Sequence, residues 1–225
     1  MNFEVRSIDY QDCKEWFLKK HYLKRLPSIS YCFGLYDKKQ LIGVCAFGNA
    51  VPLTMKRSIC GIEYEHLVYE LNRLIVNDGH DKNCTSYFVS QCLNKLPKPL
   101  IIVSYADKSQ GHNGYIYQAT NFMYLGLSHT QKDWVIKGQE DKHTRTLMDE
   151  FAFTPNRIEL LKEKYGDDLY QVQREPKHRY VYFLGSKTEK KKLIKALRYD
   201  IQPYPKGDNK RYDANYQPTT QIKLL

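Results

Sequence analysis

The chain has 225 residues, 42% of them hydrophobic, with 35 Lys and Arg against 25 Asp and Glu, for a formal net charge of +10. That length can bury a real core, as one domain with a tail or as two small ones, and that charge points to an anionic partner, nucleic acid first among them. No apolar run approaches membrane-spanning length. The six cysteines (Cys13, Cys32, Cys45, Cys60, Cys84 and Cys92) form no C-x-x-C pair, which argues against structural zinc and for reduced thiols in a cytoplasmic protein.

In chain order, Phe3 to Ile8 alternates apolar and polar residues as a half-buried strand does, starting too directly for a targeting segment. Asp9 is placed to cap a helix to about His21, with Trp16, Phe17 and Leu18 toward the core. Ser28 to Asp37 and Gln40 to Ala50 read as a hairpin, and residues 51–66 as loop. Val68 to Val76 is a strand carrying polar Glu70, Asn72 and Arg73. Asn83 or Thr85 then starts a helix that runs to about Leu96 and stops at Pro97.

The run Leu100-Ile101-Ile102-Val103 predicts a buried strand of a parallel or mixed sheet. A short helix follows from Gly114 to Phe122, then a strand FMYLGLSH. Residues 130–150 read as a hairpin plus loop, Thr154-Pro155 opens a helix that Gly166 closes, RYVYFLG is a last strand, and Glu189 to Arg198 a last helix.

The order strand, helix, hairpin, strand, helix, strand, helix, strand resembles that of GNAT acyltransferases, which implies a mixed α/β fold with helices on both faces of the sheet. Asn113, Tyr117 and Asn121-Phe122 loosely match a GNAT pattern, with Asn121 where those proteins carry glycine. The turn NDGHDKNCTS departs from it: Gly79 is its one glycine, where acetyl-CoA enzymes use a Gly-rich turn to cradle pyrophosphate. Asn83, Thr85 and Ser86 at the helix start remain able to hold an anion of the donor.

At ELNRL (Glu70 to Leu74), SYAD (Ser104 to Asp107), GHNGYIYQATNF (Gly111 to Phe122) and KHRYVYFLG (Lys177 to Gly185) the chain resembles the Mom family of bacteriophage DNA-modification proteins. The pair His21-Tyr22 and the strand LIGVCAFG fit as well, so the likeness runs from the first helix to the strand at Tyr180. It implies a GNAT-like domain over residues 1–186, followed by a basic helix and a Tyr/Lys-rich tail over 187–225. It also implies conversion of adenine in DNA to N6-carbamoylmethyladenine, which shields phage DNA from restriction in the host cytoplasm.

The residues themselves support a site in the segment SYADKSQGHNGYIYQATNF. It follows a buried strand, and sheet rims of this kind carry chemistry in α/β proteins. The exocyclic amine of adenine is a poor nucleophile, so its modification needs a proton acceptor and a grip on the ring edge. Asp107 can accept the proton, or else cap the turn after the strand. His112, between Gly111 and Asn113-Gly114, can act as base, metal ligand or phosphate donor, or bond a loop carbonyl. Tyr117 sits where GNAT enzymes keep a general-acid tyrosine, or is a core tyrosine; Ser104 and Tyr105 stand beside these.

Glu70 and Arg73 fall on opposite faces of a regular strand, whereas Glu70 and Asn72 share one; a bulge would change that. A mid-strand arginine must reach a ligand or close an internal network. His21 and Tyr22 are singled out by the resemblance alone. An iron site built from scattered side chains stays open but no ligand spacing supports one.

From Gln171 to Leu225 there are 13 Lys and Arg against 5 Asp and Glu, +8 of the total +10. Lys191, Lys195 and Arg198 are expected on one helical stripe, and the tail interleaves tyrosines with Lys210 and Arg211. With Lys177 and Arg179 these are the candidate DNA contacts. Duplex DNA would require the adenine to be flipped out. An acyl-CoA, a glycine derivative and an aminoacyl-tRNA are all open as donors. A GNAT enzyme acting on a protein or small molecule, and a non-catalytic nucleic-acid-binding module, are the competing readings. A D/N-P-P-Y/F motif and a P-C-x-x-C motif are both absent, which disfavours a methyltransferase and a zinc deaminase.

Overall fold

A computed structural model describes residues 3–49, 52–140 and 142–207 of the chain. The strands are β1 (Phe3–Ser7), β2 (Tyr31–Asp37), β3 (Gln40–Gly48), β4 (Val68–Val76), β5 (Leu100–Asp107), β6 (Met123–Leu127), β7 (Gln131–Ile136), β8 (Leu169–Arg174) and β9 (Lys177–Leu184). The helices are α1 (Tyr10–Glu15), α2 (Leu53–Cys60), α3 (Cys84–Lys95), α4 (Tyr115–Ala119), α5 (Thr144–Asp149), α6 (Arg157–Tyr165) and α7 (Lys187–Ala196). Two compact units result, one of residues up to Leu127 and from Lys177 on, the other Ser128–Pro176.

The larger unit is a seven-stranded sheet in the order β1-β2-β3-β4-β5-β9-β6. Every pairing is antiparallel except β4 with β5. One face packs α3 and α4 through Phe88, Val89, Cys92, Ile116 and Tyr117 against Phe47, Leu71, Ile102 and Tyr180. The other face takes α1 through Cys13, the π-helical turn that continues it through Trp16 and Phe17, α2 through Ile59 and Cys60, and α7 through Leu193. This is the mixed, mostly antiparallel sheet with helices on both faces that the order of elements predicts. Helix α7 opens on a capping box, Ser186 accepting from the Glu189 amide and Glu189 from the Ser186 amide. Asn121 sits at φ +61, a left-handed angle that glycine and asparagine tolerate best. No helix among the described residues is long and apolar enough to cross a membrane.

The central irregularity lies in β4. Ala46 faces Arg73 and Phe47 faces Leu71, so Asn72 is left over as a bulge. Strands β4 and β5 pair only over Val68–Glu70 with Ile101–Val103 and then part. Just past the last pair, buried Ser104 donates from Oγ to the Leu71 carbonyl at 3.0 Å, clipping the two strands where the ladder ends.

The smaller unit pairs β7 with β8 and covers them with its own core of Ile136, Leu147, Leu161 and Leu169. Asp133 is tied to Arg174 and to the Thr144 hydroxyl within it.

Three expectations are corrected. Residues 53–67 are helix α2 followed by a 3-10 turn at Ile62–Leu67, not loop. Only Lys56, Ile59 and Cys60 of α2 are buried, too thin a stripe to show as periodicity. Region 130–150 is not a hairpin: β7 pairs with β8, whose mostly exposed residues carry no strand pattern, and α5 lies between. The first helix passes at Trp16 into a π-helical turn that ends at Lys20.

The Ser104 clip is testable. Ser104→Ala leaves the Leu71 carbonyl without that donor and should cost about 1 kcal/mol in denaturant unfolding; an unchanged midpoint would show that the strands part without needing it.

Candidate active site

Where β4 and β5 diverge, a cleft of about 470 Å³ opens. Its walls come from β4 (Glu70 to Val76), the end of β5 (Tyr105 to Asp107), His112, the start of α4 (Tyr115 to Tyr117), Lys177 of β9, and Lys20 to Leu23 after α1. The bulge puts Val68, Glu70, Arg73 and Ile75 on one face, because Leu71 and Leu74 both turn to the other. Residues Tyr105 and Asp107 share the Glu70 face, as do their register partners Arg179 and Lys177. One sheet face therefore carries a row of six polar side chains at and beside the cleft.

Asp107 is the last residue of β5, and its two oxygens do different work. Oδ1 accepts from the Ser109 amide at 3.2 Å and hydroxyl at 2.7 Å, capping the 3-10 turn Lys108–Gln110. Oδ2 pairs with Lys177 Nζ at 2.6 Å and accepts from the Tyr22 hydroxyl at 3.4 Å. Burial is the largest single influence and pushes the carboxyl pKa up; Lys177 and Ser109 together overcome it, so the net shift is downward. Asp107 thus stays ionised at neutral pH although buried.

The histidines move the other way. His21 is buried, and burial first, then the charges of Arg73 and Lys177, hold its pKa well below 6.5. Its Nδ1 accepts from the Leu23 amide at 3.1 Å, so the neutral ring carries its proton on Nε2. The ring stacks on Tyr22 at 4.4 Å between centroids, and Tyr22 meets His112 edge-on at 6.4 Å. Burial lowers the His112 pKa, with Asp107 opposing. Both imidazoles are neutral at pH 7.

The loop that carries His112 is held from behind. The Asn113 carbonyl accepts from the Tyr180 hydroxyl at 2.5 Å and from Gln118 Nε2 at 3.0 Å. Gly114, at φ +76, leaves room for the Tyr180 ring, which a Cβ there would strike. Tyr117 and Tyr105 line the cleft with pKa values pushed by burial to about 12, so both hydroxyls remain protonated donors. Ser104 lies against Tyr117 and pulls its pKa back down in part.

The structure thus brings together Asp107, His112, His21, Tyr22, Glu70, Arg73, Asn72, Tyr105, Tyr117 and Lys177 at one cleft. Arg73 bonds the Asn72 carbonyl at 2.6 Å and the Arg25 carbonyl at 3.1 Å, which fits an internal network. Asn72 gives its amide to the Ser28 carbonyl at 2.8 Å. Lys177, read from sequence as a DNA contact, is instead the ion-pair partner of Asp107. Ser104 is fully buried and faces Leu71. Arg179 is buried under the Tyr199 ring at 4.5 Å and does not line the cleft.

Of the helix-start trio only Thr85 reaches the cleft; Asn83 and Ser86 line a separate groove, and the Ser86 hydroxyl is spent on the Asn83 carbonyl at 3.0 Å. That set does not fit a pyrophosphate cradle. Lys191 and Lys195 are exposed on α7, while Arg198 lies beyond the helix end and off their stripe, because extended Leu197 breaks the turn. Lys210 and Arg211 lie outside the described residues. No three His, Cys, Asp or Glu side chains gather as metal ligands among the described residues. Sequence reasoning missed Lys20, which is buried in the cleft wall with Nζ 2.7 Å from Asn77 Oδ1. A lysine in the pair Lys19-Lys20 carries no signal of burial.

The model of the Mom protein family matches residues 2–206. A methylcarbamoylase from Escherichia phage Mu, itself named mom, is 29% identical over 193 residues, 83% of this chain and 77% of that protein. Among solved structures, a GNAT-family acetyltransferase from Bacillus cereus is 11% identical, with a TM-score of 0.42 over 83% of this chain and all of that one. An N-acetyltransferase from Staphylococcus aureus is 12% identical, with a TM-score of 0.44 over 82% of this chain and all of that one. Structural likeness at that level leaves the chemistry open.

The depressed histidine values have a sign. The unfolded chain takes up protons near pH 6.5 that folded His21 and His112 refuse, so stability is complete above that pH and declines as pH falls below it. NMR titration of the two rings should place both midpoints below 6.5, His21 the lower; a midpoint above 6.5 for either would contradict the geometry.

Proposed function

We propose that this chain, which belongs to the Mom protein family, is a transferase that converts adenine in DNA to N6-carbamoylmethyladenine. The observation that carries the reading is the cleft that gathers Asp107, ion-paired to Lys177, with Tyr22, His21 and His112. The named relative from phage Mu supports the class of reaction.

Asp107 accepts a hydrogen bond from the adenine N6 amine through Oδ2 and concentrates electron density on a nitrogen whose lone pair is drawn into the ring. Lys177 keeps that carboxylate ionised and fixes its rotamer. As N6 attacks the carbon of the transferred carbamoylmethyl group, the bond from that carbon to the rest of the donor breaks, the leaving group departs with its electron pair, and neutral His112 takes the amine proton. The Tyr22 and His21 rings offer a stacking face for the base. Tyr105 and Tyr117, protonated at neutral pH, donate toward charge developing on the donor.

The carboxylate of the cleft is buried, so an adenine inside a duplex must leave the stack to reach it. Cations of α7 supply the phosphate contacts. The modified base then shields phage DNA from restriction in the host cytoplasm. An acyltransferase acting on another amine is the second reading, favoured by Thr85 at the α3 end of the cleft.

Nucleosides from plasmid DNA of bacteria expressing the protein should contain a new adenine derivative by mass spectrometry. Asp107→Asn keeps an acceptor for the Ser109 cap but removes the charge that faces Lys177; it should reduce that derivative by about 100-fold or more, with a lowered melting temperature from the broken ion pair but a folded protein. Unmodified DNA from a folded, expressed protein would move the balance to the second reading. A folded Asp107→Asn protein that still modifies DNA at the unmutated level would make the residue structural.

A further inference from the structure

The best-connected surface feature outside the cleft lies where α2 ends. Gly61 stops that helix at φ +92, and its amide bonds the Arg57 carbonyl at 2.9 Å. The backbone of Arg198, two residues past α7, returns to this point and donates to the Ile59 carbonyl at 2.9 Å. Its guanidinium lies flat on Gly61: a Cβ there would stand 2.8 Å from Nη2. Glycine is thus required twice, for the backbone angle and for the close approach.

The corner presents a cation and an apolar side chain together, with exposed Glu63 next along the chain from Ile62. Arg198 is exposed and makes no ion pair with any described residue, whereas nearby Arg57 is taken by Glu65 at 2.5 Å. Ile62, the next residue after Gly61, is 63% exposed. A lone exposed isoleucine is ordinary; this one stands on a rigid corner beside an uncommitted guanidinium. Lys192 lies over the Tyr64 ring at 5.8 Å on the same side.

The corner is wired to the cleft. The Tyr199 hydroxyl donates to Ser58 Oγ of α2 at 2.9 Å, and the Tyr199 ring carries Arg179, which bears on Tyr105 of the cleft wall. Helices α2 and α7 cover the same sheet face that presents Asp107 and Lys177.

We propose that Gly61, Ile62 and Arg198 form a duplex-DNA contact, Arg198 taking one backbone phosphate and Ile62 pressing into the adjoining base-pair step. The assignment rests on the DNA reading above for its ligand. A protein that extracts a base from a duplex needs an apolar wedge at the disturbed stack, and isoleucine is one of the side chains that serve. The phosphate contact holds the wedge in register.

Equilibrium binding of the full-length protein to a mixed-sequence duplex and to its single strand, over a range of salt, tests this without any donor. Arg198→Ala should reduce the slope of log affinity against log salt by about 0.9, one phosphate's worth. Ile62→Ala should leave the slope unchanged, weaken duplex binding by roughly tenfold and spare the single strand, because only a stacked duplex needs the wedge. Both side chains are exposed, so melting temperatures should not move. An unchanged slope for Arg198→Ala would overturn the phosphate contact, and equal loss on both DNA forms would overturn the wedge. A wild-type protein that does not bind duplex would overturn the corner altogether, while a modified adenine in cellular DNA would still stand for the enzymatic reading.

Discussion

The site depends on one interruption: β4 and β5 stop pairing after Glu70 and Val103. A parallel pair in mid-sheet normally leaves no room between its strands. The extra residue at Asn72 bends β4 away, and β5 stays with β9 along its whole length. The gap is the cleft. The same bulge turns Arg73 to the face that Glu70 occupies, which a regular strand forbids. Ser104 limits the gap at its closed end by holding the Leu71 carbonyl, so the strands part at a defined point rather than fraying.

The parted strands gather charge of both signs in a small volume, and the balance decides what each group can do. Burial alone would raise the Asp107 pKa, and Lys177 with Ser109 reverses that shift. Lys177, which keeps the carboxylate ionised, also bears on His21 and, after burial and Arg73, helps keep it neutral. A permanent anion and neutral imidazoles therefore coexist within one cleft. That combination suits removal of a proton from a weakly basic amine, and a plain phosphate-binding surface has no use for it. Lys191 and Lys195 on α7 and Arg198 beyond it are exposed and lie outside the cleft wall.

Legibility followed the strength of local pattern. Strands β4 and β9 combine apolar runs with clear ends, and the sequence placed them within a residue or two; β5 was marked by its run Leu100 to Val103 and extends four residues further, to Asp107. Helix α7 was clear from its apolar face. Helix α2 buries only a few residues and was read as loop; β8 is nearly all exposed and pairs with a strand far away in sequence, so neither carried a signal. The segment around Asp107 and His112 stood out because it follows a buried strand and concentrates polar and glycine residues. Asp107 caps the turn through one oxygen and leaves the other facing Lys177 and Tyr22 in the cleft, so the cap does not exclude a functional carboxylate.

By itself, then, the sequence determined the class of fold, the basic C-terminal region, and the family likeness carried by motifs such as SYAD and KHRYVYFLG. These are properties of composition, periodicity and local residue order. Only the tertiary structure decided which polar residues share the cleft, that Lys177 belongs to Asp107 rather than to the outer surface, that Arg179 is buried, and that Arg198 meets Gly61. The reason is that strand register, the bulge and the return of the chain after α7 join residues far apart in sequence, and a pKa or an ion pair depends on distance and burial, which no local pattern records.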